Sequence, residues 1–183
     1  MKRAVLILSG GLLILAACED VREPPVAALG PMADSADQIM FGVNTLLTER
    51  GLLRAELRAD TAFFFDDNTR VELRNVRTTF YTATGQKSAV LTSKAGTYNT
   101  RLAQTEARGN VVVVSEDGKR LTTQQLRYDQ GKNEISSDSA FVLSEPNRRL
   151  EGVGFVSDPE MDKVQVLKGV KGEDRGTFTL PEP

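Results

Sequence analysis

The 183-residue sequence has no histidine, no tryptophan and a single cysteine. Without histidine there is no imidazole to serve as general acid or base near neutral pH, no Ser/His/Asp relay and no Cys/His zinc site. One cysteine cannot close an internal disulfide. No nucleophile elbow, Gly-rich phosphate loop or run of metal ligands takes their place. Acids such as Glu106 occur, but none is paired with a second carboxylate at a spacing that suggests glycoside cleavage. The expectation is a protein that binds rather than catalyses, without cofactor or metal. The charges nearly cancel: Lys and Arg number 23 against 25 Asp and Glu, a net charge of -2, which is not the basic footprint of a nucleic-acid binder.

Long apolar runs are missing as well. The stretch Ala4 to Ile14, behind Lys2 and Arg3, falls short of the ~20 residues that a membrane span needs. It closes on Leu15-Ala16-Ala17-Cys18. A positive start, a short apolar middle and small residues at the end make a signal peptide, residues 1–17. Small residues directly before a cysteine resemble the lipobox of bacterial lipoproteins, in which that cysteine is diacylated and becomes the new N-terminus. Cys18 is therefore the expected lipidation site, and two acyl chains anchor stably where one is marginal. Residues 18–37 carry Pro24, Pro25, Gly30 and Pro31 among small residues and read as a tether that holds the domain off the membrane. Glu19 and Asp20 resemble an inner-membrane retention signal.

Beyond the tether the hydrophobic period is 2. Leu53 to Arg58, Arg70 to Arg74 and Val76 to Tyr81 alternate apolar or small with charged or polar residues. Ile39, Val43, Leu46 and Leu47 fit a helical stripe, but Gly42 and the Glu49-Arg50-Gly51 turn signal favour a strand entering a hairpin. Turn clusters at Asp66-Asp67-Asn68, Thr84-Gly85, Glu116-Asp117-Gly118, Asp129-Gln130-Gly131 and Pro146-Asn147 divide the chain into short antiparallel strands. A weak repeat runs through them: Leu91-Thr92-Ser93 leads to Tyr98 and Leu121-Thr122-Thr123 leads to Tyr128, both over seven residues, with a blurred third copy from Phe141 to Phe155. Each unit reads as a hairpin layer stacked on its neighbours, leaving the first and last strands with open edges.

The order Gly109-Asn110-Val111, Leu121 to Asp129, Ser136-Ser137-Asp138 and Gly152-Val153-Gly154-Phe155 resembles the LptC family of lipopolysaccharide-export proteins and relatives of the OstA-like fold, over roughly Asn44 to Gly172. The resemblance implies an all-β, twisted antiparallel β-jellyroll of stacked hairpins open at both ends, here residues 38–172, followed by a disordered tail at 173–183. It implies a groove that takes lipopolysaccharide from an inner-membrane ABC transporter and passes it to a periplasmic bridge protein of similar fold. Well-known members hold the membrane by a transmembrane helix; in this chain the acylated Cys18 takes that place, on the periplasmic face of the inner membrane.

Shielding an acyl chain from water is worth about 0.8 kcal/mol per CH₂, roughly 9 kcal/mol for a dozen carbons, which only a long apolar groove can match. Alternation assigns Leu57, Val71, Leu73, Val76, Phe80, Leu91, Val111, Val113, Leu126, Tyr128, Phe141 and Leu143 to faces that line either such a groove or an ordinary packed core. Partner docking by β-augmentation is expected at the strand edges, with the Asn44 to Arg58 hairpin toward the transporter. Lys163 to Val170 would face the bridge protein, and Gly152, Gly154, Val164 and Val166 belong to that partner edge. The glycines mark a bulge or a close backbone approach. Asp66-Asp67-Asn68 and Asp158-Pro159-Glu160 read as turns rather than calcium sites. Arg70, Arg74, Arg77 and Lys87 read as a solvated strand face rather than phosphate ligands. Phe63-Phe64-Phe65 breaks the alternation and is buried on both faces or lies at the groove mouth. The alternative function is an envelope lipoprotein whose strands bind protein alone.

Overall fold

The computed structural model describes residues 30–49 and 51–174. The signal peptide, Cys18, the tether up to residue 29 and residues 175–183 lie outside the described residues. Alternating sequence becomes nine strands: β1 (Gln38–Glu49), β2 (Leu52–Phe65), β3 (Arg70–Tyr81), β4 (Lys87–Asn99), β5 (Gln104–Ser115), β6 (Arg120–Asp129), β7 (Glu134–Ser144), β8 (Arg148–Ser157) and β9 (Gln165–Asp174), preceded by a one-turn helix, α1 (Pro31–Ser35). The strands form one sheet in the order β1 to β9, each antiparallel to its sequence neighbours. The expected hairpins are thus found, and among the described residues β1 and β9 are the two free edges. Asp66, Asp67 and Asn68 all adopt left-handed backbone in the β2–β3 turn, as short polar side chains tolerate.

A row of breaks crosses the sheet near mid-strand. The pairing register slips between Thr92 and Ala95, Arg108 and Val111, Thr123 and Arg127, Ser137 and Ala140, and Glu151 and Val153. Left-handed residues fall along the same row, at Gly42, Asn75, Asn110 and Gly154. Asn75 Nδ2 donates to Asp60 Oδ2 at 2.6 Å across this line. Bulges bend a strand and sharpen its twist, so the sheet folds along the row and the two halves of each strand share one interior. In β3 and β6 the break also switches which parity points inward, whereas the buried residues of β5 (Ala107, Val111, Val113) and β7 (Ile135, Ser137, Phe141, Leu143) keep one parity across it. In β3 the buried residues are Leu73, then Val76 and Thr78; in β6 they are Leu121 and Thr123, then Leu126. Each half therefore keeps its apolar side in.

The repeat seen in the sequence becomes a ladder across the inner face. Leu57 pairs with Thr78, Thr78 with Leu91, Leu91 with Val113, Val113 with Leu121, Leu121 with Leu143 and Leu143 with Leu150. Past the break a second ladder runs Phe64, Val71, Tyr98, Thr105, Tyr128, Ile135. Cross-strand pairs of this kind are the units that hold a sheet together.

The domain begins earlier than the tether reading supposed. In α1, Ala33 is buried and Met32 is half-buried against Phe63 and Phe65, joined by Ala36 and Ile39. Phe63 and Phe65 point out of the sheet under this helix, while Phe64 alternates inward beside Val71. The triple phenylalanine is thus covered on both faces. The Asp37 amide donates to Phe64 O at 2.8 Å, and the Asp37 carboxylate accepts from the Asp67 amide at 3.2 Å. At the other end β9 runs through Asp174, paired with Arg148, so residues 173 and 174 belong to the sheet and not to a tail.

Gly152 and Gly154 were expected at a partner edge, but both lie in β8, which is paired on each side by β7 and β9. They serve close approach instead. A Cβ on Gly152 would stand 2.5 Å from Val166 Cγ1 and 3.1 Å from both Lys168 O and Phe141 Cε1. Gly152→Ala is expected to destabilise the domain by about 1–3 kcal/mol through overpacking. Chemical denaturation should show this, and the second substitution Val166→Ala should recover part of it. A wild-type midpoint for the single variant would contradict the packing described.

Candidate functional site

The inward residues named from the sequence collect in two clusters. Leu73 and Val76 are buried with Ala59 and Ala62, against half-buried Leu57, Val71, Val43 and Phe64. Leu91, Val111, Val113, Leu126, Phe141 and Leu143 are buried with Leu121, Ile135 and Phe155, against half-buried Tyr128. Phe80 stands apart on the inner face, paired with Ala55 and Ala89 but 37 % exposed.

Exposure grades along the sheet. At the β5–β8 level the interior is full: Val111 is 0 % exposed and Phe155 is 1 %. The rings of Phe141 and Phe155 lie 4.8 Å apart in a tilted arrangement, and buried Thr123 and Ser137 hydroxyls share a hydrogen bond of 3.2 Å. The slot expected to be reachable from both ends is therefore packed here, because the fold brings large side chains from both halves of β7 and β8 together. At the β1–β3 end Ala55, Ala59, Ala62, Leu73 and Val76 are still buried, and the exposed inner-face positions lie on the edge strand β1 and at the end of β3. Met40 is 43 % exposed and Leu47 46 %, beside the small inward Ala55, Ala59 and Ala62 and the half-buried Leu57 and Phe64 of β2. By register Met40 opposes Ala62 and Leu47 opposes Ala55, so both belong to the inward set. They were missed in the sequence because the inversion at Gly42 breaks the alternation of β1. Phe155 was missed for the same reason, behind Gly154.

The free edges carry apolar side chains too. Leu46 and Leu52 are exposed at the β1–β2 end, and Leu167 and Val170 on β9. Val164 and Val166 pack against the core, so at this edge their side chains are committed inward and the unpaired backbone of β9 remains.

Charge sits on the outer face and is largely paired. Arg70 bridges Asp66 and Glu72 and lies 4.2 Å over the Phe65 ring, and Lys87 meets Glu116 at 2.8 Å. Glu106 accepts from Arg108 and Gln125. Burial pulls the Glu106 carboxyl upward, but these hydrogen bonds and the nearby guanidinium charges outweigh it and hold the group below the ordinary carboxylate range. Arg127 pairs with Asp138. Such surface pairs contribute about 0–1 kcal/mol each. Among the described residues no three acidic or sulfur groups converge as a metal site, and no helix is long and apolar enough to cross a membrane.

The fold has a solved counterpart. LptH, described as the LptA-homologous periplasmic component of the conserved lipopolysaccharide transport device of Pseudomonas aeruginosa, superposes with a TM-score of 0.50 at 16 % identity, over 70 % of this chain and 90 % of that one. At that identity the likeness concerns the fold. No curated protein matches the chain. The family model for lipopolysaccharide-assembly, LptC-related proteins matches residues 4–175, almost the whole sequence, and the chain belongs to that family.

Proposed function

We propose that this member of a lipopolysaccharide-transport family shields lipid acyl chains against the inner-face positions left exposed at the β1–β3 end. The observation that carries the reading is the exposure of Met40, Leu47 and Phe80 at inward register positions, paired with the buried Ala62 and Ala55. Exposed apolar area of this kind marks a surface meant to be covered. The chain works passively in the periplasm, held by acylated Cys18 to the inner membrane. The free β1 edge faces the ABC transporter, whose ATPase supplies the energy. The free β9 edge adds to an edge of the bridge protein by backbone pairing, extending the apolar path.

The packed interior at Phe155 favours one other reading, in which the strands bind protein alone and the core is only a core. The intact lipoprotein, extracted in mild detergent and analysed for lipid, separates the two: lipopolysaccharide copurifies on the first reading and is absent on the second. Deleting Lys163 to Pro183 should abolish pull-down of the bridge protein and leave the chain membrane-bound. Undiminished pull-down would remove the β9 edge from the account.

A further inference from the structure

We propose that the β8–β9 connection, residues 158–164, is a strap that closes the packed end of the interior and swings away to admit an acyl chain. This rests on the reading that lipid enters the interior. Its backbone leaves β8 at Ser157 and crosses to the β5–β6 turn, where the Lys119 ammonium donates to Glu160 O at 3.1 Å and to the Asp162 carboxylate. Lys119 also stands 3.4 Å from Asp117 Oδ2. These contacts join turns that belong to opposite halves of the folded sheet.

Two side chains of the strap reach the core, buried Met161 and half-buried Val164. Met161 is buried in the cluster that holds Phe141, Leu143 and Phe155, while Glu160, Asp162 and Lys163 beside it are exposed. Its backbone is left-handed, φ 59°, a conformation disfavoured for a residue with a long side chain. Within the strap the Asp158 carboxylate accepts from the Asp162 amide at 2.8 Å and the Lys163 amide at 3.3 Å, which shapes the segment without tying it to the strands. A segment fastened by the Lys119 contacts and by the side chains of Met161 and Val164 opens at low cost compared with a strand. The chemistry of Met161 names the occupant. Methionine is unbranched and flexible, so its Cγ, Sδ and Cε fill the space that a short length of acyl chain would fill, between the Phe141 and Phe155 side of the core and solvent.

The test uses the intact lipoprotein and micelles of fluorescently labelled lipopolysaccharide. Lys119→Ala, which removes the latch without touching the core, should speed uptake several-fold and accelerate amide exchange at Met161 to Lys163, with the strands' protection unchanged. Met161→Ala should speed uptake also, and Met161→Leu should restore the wild-type rate. Wild-type uptake at an unchanged rate in both Lys119→Ala and Met161→Ala would overturn the strap while leaving lipid binding intact. Failure of every form, wild type included, to take up lipid would overturn the underlying reading and the strap with it. If Met161→Ala fails to fold, Lys119→Ala alone decides.

Discussion

Phe155→Ala is expected to cost about 3–5 kcal/mol and to lower the melting temperature by roughly 10–20 °C. Phe155 is among the largest fully buried side chains, tilted against the Phe141 ring and in one core cluster with Met161, Ile135 and Leu126. Its position in β8, inward just past the left-handed Gly154, fixes the ring between the two halves of the folded sheet. Removing it leaves a cavity that neighbours on two paired strands cannot fill by relaxing. A domain of this size has about 5–15 kcal/mol to lose, so the variant would sit near the edge of folding. Were the interior at this level an open slot, the same truncation would cost far less. Thermal and chemical denaturation of wild type and variant distinguish these outcomes.

The double substitution Leu47→Asp with Phe80→Asp is expected to lower lipopolysaccharide recovery with the purified chain by a factor of about ten or more, with little change in melting temperature. Both side chains are already well exposed, and surface replacements away from special features usually stay within about 0.5 kcal/mol. A lipid tail laid across them would instead have to desolvate two carboxylates. An unmade hydrogen bond at each costs about 1–3 kcal/mol, and about 1.4 kcal/mol is a factor of ten in binding. Loss of stability in parallel with loss of lipid would mean that these residues are core after all. Unchanged lipid recovery would remove them from the binding surface.

Much of this architecture could be read from residues alone, because period-2 alternation and turn chemistry are local. The hairpins centred on Asp66 to Asn68, Glu116 to Gly118 and Asp129 to Gly131 follow from those residues, and the Leu91 and Leu121 repeat lies on one cross-strand ladder. The bend was not read, although its signal was present. Leu91 and Tyr98 are seven apart, an odd spacing that a regular strand would send to opposite faces. Both join inward ladders only because the strand breaks between Thr92 and Ala95. Gly42 and Asn75 do the same in β1 and β3, which hid Met40 and Leu47 from a simple alternation count.

Burial depth was the part that local pattern could not supply. Phe80 and Phe141 both alternate inward, yet one is exposed and the other packed, because packing depends on what the opposite half of the sheet brings. The tether reading failed at residues 31–35 for a related reason: Pro31 can start a helix as readily as it extends a linker, and the apolar partners of Met32 and Ala33 lie some thirty residues on, at Phe63 and Phe65.

Site-specific photo-crosslinking in growing cells tests the central claim most directly. A photoreactive residue is placed at Leu47 or Phe80 on the inner face, and at Val90 or Val114, which pair with each other on the outer face. Lipopolysaccharide adducts are expected from the two inner positions and none from the two outer ones. Adducts from Val90 or Val114, with none from Leu47 and Phe80, would contradict it.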